Sequence, residues 1–342
     1  MTIGDPDNTS SQSDMTAASE TWRFETVPDS EDGTRFDRFL KRLIPGLGQG
    51  QVERMLRNGL VRLDGAKAKS ASRLVAGQQV RLPRSLDAAV PARTRSAPAI
   101  NSKAAQRDFA AMMLAEGKDW VALNKPSGLA VQGGTGTHRH IDGLLQALAP
   151  TPAQRLRLVH RIDKDTSGIL LLAKSVDAAR RLTAAFQHQN IKKTYLALVC
   201  GFGDAQVDIR APLQKQAGRN GEQMQVDAGG QAAHSQYWRL DHAGRKMSLM
   251  ALRPMTGRTH QLRVHMAHIG SPICGDGKYG GEAAHPGGLI AGRLHLHAWQ
   301  LILPDGKKIV APLGGHMKAS LDSLGMEVPR DDWRFEDMTK SG

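Results

Sequence analysis

His160-Arg161-Ile162-Asp163-Lys164-Asp165-Thr166-Ser167-Gly168 runs directly into Ile169-Leu170-Leu171-Leu172-Ala173 and then Lys174. A short, unbroken aliphatic run bounded by polar turn residues is the pattern of a buried strand. A loop that empties into such a strand is a rigid place to hold a nucleophile or a base. Asp163 stands between Arg161 and Lys164, and those cations favour the ionised form of its carboxylate near neutral pH. Taken alone, the same charges also suit an ordinary surface turn, where solvated ion pairs contribute little. Other segments have to decide.

The bulk properties narrow the choice. The chain has 342 residues and a formal net charge of +13. Residues 1–34 hold eight acids and one base, a net of −7, so the remainder carries +20. That asymmetry points to a polyanionic partner such as nucleic acid. The two cysteines, Cys200 and Cys274, are far apart in sequence and form no CxxC pair. They are expected as buried thiols in a reducing compartment, without a disulfide or zinc site. No apolar run reaches transmembrane length and the start lacks a signal-peptide core, so the expected location is the cytoplasm.

Along the chain, residues 1–20 are polar and poor in apolar side chains, and are expected to be a disordered tail. Residues 21–84 are expected to form a small domain. Phe36, Phe39, Leu40 and Leu43 recur at helical spacing, Gln51 to Arg57 suits a second short helix, and Leu60–Leu63 and Gln79–Leu82 read as strands. Residues 35–84 hold twelve bases against three acids. Arg38, Lys41, Arg42, Arg54 and Arg57 fall on the outer faces of the two helices and are candidate RNA contacts. Residues 85–105, with Pro91, Pro98 and several alanines, read as a linker. Residues 106–325 read as one large α+β domain with a mixed, mostly antiparallel sheet and flanking helices. Residues 326–342, including Trp333 and Phe335, read as a loosely attached tail.

Three further segments carry chemistry. Asn124-Lys125-Pro126-Ser127-Gly128-Leu129 follows a strand and makes a sharp turn from which Lys125 is expected to reach a phosphate or carboxylate. The neighbouring Gly133-Gly134-Thr135-Gly136 lacks the Gly-Lys-Ser/Thr ending of a nucleotide-binding P-loop. Lys192-Lys193-Thr194-Tyr195 opens an apolar strand. In Met255-Thr256-Gly257-Arg258-Thr259-His260-Gln261-Leu262-Arg263-Val264-His265-Met266, Thr259 is the expected helix N-cap. Leu262, Met266 and Ile269 mark a buried stripe. Arg263 sits at the core boundary, where a guanidinium requires a carboxylate. His260, His265 and His268 lack the acidic partner of an HExxH zinc motif, so no metal is expected.

Together, these four segments and their order closely resemble the RluA-type RNA pseudouridine synthases, over roughly residues 119–280. The small basic module in front resembles an S4 RNA-binding domain. The resemblance implies a pseudouridine synthase fold for residues 106–325 and an isomerase that needs no cofactor. It makes Asp163 the catalytic aspartate, Tyr195 the active-site tyrosine that packs on the uracil and serves the closing proton removal, and Arg263 the arginine that pairs with Asp163. Arg161 would fill the space left by a flipped-out nucleotide. Leu262 would wall the pocket, with Lys125 and His160 beside it. The glycine-rich segment and the S4-like module are closest to RluC-type enzymes. That implies large-subunit (23S) ribosomal RNA as substrate, transfer RNA being the alternative, and a monomeric protein. A non-catalytic RNA-binding protein on the same scaffold would have lost Asp163, Tyr195 or Arg263. All three are present. A glycosidase would need a second carboxylate, and Asp165 is too close in sequence to serve. Whether Asp163 attacks C1′ or starts an elimination stays open.

Overall fold

A computed structural model describes residues 22–44, 47–88, 102–133, 139–149, 151, 154–218, 221–333 and 335. The expected disordered tail, most of the expected linker and residues 134–136 of the glycine-rich segment lie outside these. The chain divides into two compact units, Met1–Pro98 and Ala99–Gly342.

In the first unit, strands Trp22–Thr26 (β1), Arg62–Leu63 (β2) and Gln79–Pro83 (β3) form an antiparallel sheet in the order β1-β3-β2. Helices Phe36–Leu43 (α1) and Gln49–Arg57 (α2) supply Phe36, Phe39, Leu40, Val52 and Leu56 to a core shared with Leu63, Val80 and Leu82 of the sheet. One face of each helix is therefore sealed, and Arg38, Lys41, Arg42, Arg54 and Arg57 are left exposed. Arg42 is paired with Glu31.

The second unit is α+β. Its ten-stranded sheet is made from Met113–Glu116 (β4), Trp120–Lys125 (β5), Arg157–Leu158 (β6), Ser167–Ala173 (β7), Lys192–Cys200 (β8) and Gln206–Arg210 (β9), continuing with four later strands. A separate hairpin, Leu213–Gly218 (β10) with Gly221–Val226 (β11), comes between. The later strands are His234–Ala243 (β12), Met247–Pro254 (β13), Leu296–Ile302 (β14) and Lys308–Val310 (β15). The order is β4-β5-β7-β14-β8-β13-β12-β9, with β15 on β14 and β6 on β7. Among the strands of this sheet in the described residues, β7 and β14 alone pair parallel.

Every residue of β7 is buried. Leu170 and Leu172 face helices Ser102–Met112 (α3) and Ile141–Leu148 (α4), whereas Ile169 and Leu171 face helix Val176–Gln187 (α5). A strand covered on both sides must be apolar at every position, which is why the aliphatic run does not alternate. Ser175 caps α5 by accepting from Ala178 N–H at 3.1 Å. At the start of β7, Gly168 has φ +105° and lies so close to β14 that a Cβ would run into the Ala298 carbonyl. This close approach lets the loop before β7 emerge beside the middle of the sheet.

Two expectations change. α3 begins within the expected linker, and Ala105 is fully buried because the helix packs against α4 and the sheet. Trp333 and Phe335 are not loosely attached. Phe335 is 3% exposed, and Trp333 packs at a tilt against Trp299 while its carbonyl accepts from Gln300 Nε2 at 2.9 Å. The apolar face between β14 and helix Gly315–Ser323 (α6) needs this cover. Cys200 and Cys274, distant in sequence, are free thiols, Cys274 buried and Cys200 partly so, with Sγ atoms 3.2 Å apart because residue 273 bridges β8 at Val199. Among the described residues no helix is long and apolar enough to cross a membrane.

His295 and His297 lie buried around this framework, and His160 is half-buried against Phe186. His160 is pushed down to about 3, by burial and then by Lys193. His295 and His297 are pushed down to about 4, chiefly by burial. Each is therefore neutral in the folded protein but titrates near 6.5 once unfolded. On acidification the unfolded chain takes up these protons first. Stability present above pH 6.5 is lost as pH falls toward 4, by about 1.4 kcal/mol per pH unit for each group. Thermal melts at pH 7.0, 5.5 and 4.5 should show a steep fall in Tm. A flat profile would mean these imidazoles are solvated.

Candidate active site

The loop preceding β7 opens on a cavity of about 520 Å³ in the second unit, a volume typical of small-ligand sites. Its walls include Arg161, Asp163, Tyr195, Leu262 and Arg263, with His160 among the lining residues. These come from three places: the loop before β7, the start of β8, and the helix Gln261–His268 (α7). The sheet order sets β7 and β8 on either side of β14. Residues 163 and 195, distant in sequence, thus face one space.

The Asp163 side chain is 19% exposed, and its Oδ1 lies 3.8 Å from His260 Nε2. The loop that carries it is pinned from behind by the 124–129 turn. Gly128 N–H donates to the Lys164 carbonyl at 2.9 Å, and the Ser127 hydroxyl donates to the Asp165 carbonyl at 2.8 Å.

Lys125 completes this support and departs from expectation. It does not line the cavity. It is 0% exposed, and its Nζ donates to the carbonyls of Pro126, Leu129 and Lys164 at 3.0, 2.8 and 2.9 Å. Burial pushes the amine down to about 8, with Asp165 and Asp163 pulling the other way. An ammonium with three donors satisfies three inward-turned carbonyls at once, which is why it turns in rather than out. His160 likewise serves the scaffold. Its Nε2 accepts from Leu171 N–H at 2.8 Å, where the short β6 no longer covers β7, and its ring stacks on Phe186 at 4.2 Å.

Arg263 gives the largest departure. Its bidentate partner is Asp276, not Asp163: Nε donates to Oδ2 and Nη2 to Oδ1, each at 2.7 Å. Arg263 is 7% exposed and Asp276 2%. Burial opposes the charge, but the hydrogen bonds and charge of Asp276, then the charge of Asp163, leave the guanidinium raised above its ordinary value. Residues 261–266 are all buried, so α7 has no polar face on which Arg263 could find water. The expected N-cap also moves, from Thr259 to His260, which takes a left-handed conformation at φ 53°. The Gln261 side chain causes this, because its Oε1 accepts from Thr256 Oγ1 at 2.6 Å and from Arg258 N–H at 3.0 Å.

Tyr279, His260, Lys193 and Asp276 also belong to the site, and their part in it is not evident from the chain alone. Tyr279 places its hydroxyl 2.6 Å from His260 Nδ1 and lies under the Arg263 guanidinium, 5.0 Å from ring centre to Cζ. Its oxygen also accepts from Met224 N–H at 3.3 Å. With the phenol donating to Nδ1, the imidazole proton falls on Nε2, facing Asp163. Burial lowers His260 and outweighs the opposing pull of Asp163, keeping the ring neutral. Lys193, also on the wall, is lowered by burial. The only hint in sequence was the need of a buried arginine for an acid, and Asp276 is the next acid after it.

Tyr195 is raised above its ordinary value, first by burial and then by Asp163. The phenol stays protonated and is a hydrogen-bond donor beside a carboxylate. The site thus offers one solvent-reachable carboxylate, a neutral aromatic wall and a fixed cation. Among the described residues no cluster of His, Cys, Asp and Glu could hold a metal ion.

Comparison with known proteins agrees. The RNA pseudouridylate synthase family model matches residues 119–268. Ribosomal large subunit pseudouridine synthase C of Vibrio cholerae is 36% identical over 311 residues, which is 88% of this chain and 96% of that protein. Its counterpart from Escherichia coli strain K12 is 35% identical over 311 residues, with 87% and 95% covered. The solved structure of human RNA pseudouridylate synthase domain containing 4 has a TM-score of 0.56 and 27% identity, covering 67% of this chain and 98% of that one. A carboxylate loop backed by β7, a tyrosine on β8, a buried arginine on α7 and relatives matched over nearly the whole chain place this protein in the RluA-type RNA pseudouridylate synthase family, an isomerase.

Proposed function

We propose that the protein converts specific uridines of large-subunit ribosomal RNA to pseudouridine, with Asp163 as the essential carboxylate. The observation that carries this is Asp163 facing a nucleoside-sized cavity between Tyr195, Leu262 and Arg263. The ribosomal address rests on the relatives named for the large subunit.

The reaction breaks the N1–C1′ bond, turns the uracil and joins C5 to C1′. One proton leaves C5 and one is gained at N1, so atoms balance without a redox partner. A base inside folded RNA is first flipped out, at a cost of a few kcal/mol. Arg161, exposed at the rim, fills the vacated space. Tyr195 packs on the uracil, and Leu262 closes the other side. Asp163 acts on C1′ as nucleophile or on the sugar as base. Because burial keeps the Tyr195 phenol protonated, removal of the C5 proton is assigned to the Asp163 carboxylate. His260 Nε2–H, oriented through Tyr279, steadies that carboxylate. The field of Arg263 reaches Asp163 without a direct pair.

The first unit is assigned as an S4-like RNA-binding domain, with Arg38, Lys41, Arg42, Arg54 and Arg57 as its phosphate contacts. Deleting residues 1–84 should weaken RNA affinity at least about tenfold and flatten its salt dependence, since fewer phosphates are neutralised. A truncated enzyme with unchanged affinity and site choice would remove this assignment. We assign the protein to the cytoplasm as a monomer, since ribosomal RNA is met there. Pseudouridine maps of ribosomal and transfer RNA from cells lacking the gene test the function. Loss of signal at large-subunit positions is the expected result. Loss confined to transfer RNA would move the substrate.

A further inference from the structure

The helices of the first unit cover one face of its sheet, and the opposite face is unlike an ordinary solvated surface. β1 pairs with β3 so that Phe24 lies opposite Arg81, and β2 pairs with β3 so that Arg62 also lies opposite Arg81. Directly opposed residues share a face, so Phe24, Arg81 and Arg62 form one row across three strands, roughly 10 Å long. Trp22, two residues before Phe24, lies on the same face, with the Arg81 guanidinium 4.1 Å above its ring. The alternate residues of β3, Val80 and Leu82, point into the core instead.

Phe24 is 60% exposed, which is unusual for a phenylalanine in the middle of a strand. Arg62 donates to the carbonyls of Gly59 and Gly65, and Arg81 to that of Gly59. Among the described residues neither guanidinium meets a carboxylate, so both keep their full charge. Trp22 and the carbonyl contact hold Arg81 flat against the sheet.

We propose that this outward sheet face, centred on Phe24 with Arg62 and Arg81 beside it, is a second RNA-contact surface that takes unpaired nucleobases of the substrate. An exposed aromatic ring accepts any base by stacking, and flanking guanidinium groups neutralise the adjoining phosphates. Charge complementarity selects RNA over an apolar protein partner, because a buried protein interface would leave two uncompensated cations. The inference rests on the reading of the chain as an RNA-modifying enzyme. It adds a contact on the side of the domain opposite the basic helices, so that unpaired RNA flanking the target is held as well as duplex phosphates.

The test uses the full-length protein and two uridine-free RNAs, a single-stranded oligoadenylate and a duplex of equal length. Phe24→Ala should weaken oligoadenylate binding about tenfold and duplex binding less than twofold. Phe24→Tyr, which keeps the ring, should bind as the wild type does. Arg62→Gln should lower the salt slope of oligoadenylate binding by about one. Thermal melts identify any variant that fails to fold, and Phe24→Leu then serves in place of Ala. On a ribosomal RNA fragment, Phe24→Ala should raise KM and leave kcat unchanged. Equal oligoadenylate affinity for wild type and Phe24→Ala would overturn the inference. So would a wild-type dimer, seen by sedimentation, that Phe24→Ala dissolves, since the face would then be covered by a second copy. Pseudouridine formation by the wild type is measured on the same preparation. If it is absent, the enzymatic reading fails, while the binding comparison still decides the sheet face.

Discussion

Asp163→Asn should bind RNA within about threefold of the wild type and form no measurable pseudouridine. The carboxamide has nearly the same shape, and the neutral His260 ring beside the native side chain has its Nε2 3.8 Å away. Little of the fold therefore depends on the charge at this position. The chemistry depends on it wholly, because a neutral amide neither attacks C1′ nor takes up a proton. Loss of an essential nucleophile or base should cost at least about four orders of magnitude in kcat, or more than about 5 kcal/mol of transition-state stabilisation. Single-turnover conversion of a ribosomal RNA fragment, alongside a binding isotherm for the same RNA, separates the two effects. Turnover within tenfold of the wild type would end the assignment of Asp163.

Asp276→Ala should be the most destabilising single change in the site. It leaves the Arg263 guanidinium, 7% exposed, without the carboxylate that meets two of its nitrogens at 2.7 Å. Breaking a buried pair in this way costs about 3–5 kcal/mol. For a domain of this size, that corresponds to a fall in Tm of roughly 10 °C. The double variant Arg263→Met with Asp276→Leu removes both charges and should recover much of the lost stability, because apolar groups of similar volume can replace a buried pair. It should remain inactive, since the cation facing Asp163 is gone. Asp276→Ala melting within about 2 °C of the wild type would show that water already reaches the guanidinium.

These two variants mark where a reading of the chain works and where it stops. The aliphatic run from Ile169 to Ala173 announces a strand buried on both faces, since solvent on either side would have imposed alternation. Ser175, followed by Val176, Ala179, Leu182 and Phe186 at helical spacing, marks the start of α5. The short strands β4, β6 and β15 leave no such trace, because two to four residues cannot establish a period. Phe335 looked dispensable for the same reason. Its burial depends on an apolar surface between β14 and α6 that exists only after the sheet has assembled.

The chain by itself carried the segments whose resemblance implies the chemistry: a carboxylate in a basic loop, a tyrosine opening a strand and an arginine at the core boundary of a helix. Those are local patterns, and local patterns follow from the order of residues. Which acid meets Arg263, and whether Lys125 turns toward solvent or into the protein, only the tertiary structure decided. A buried charge takes whichever opposite group or carbonyl the packed backbone brings within about 3 Å, and sequence distance says nothing about that. Asp276 reaches Arg263 with both oxygens because the chain after α7 folds back beneath it, and three carbonyls converge on Lys125 because two loops meet there.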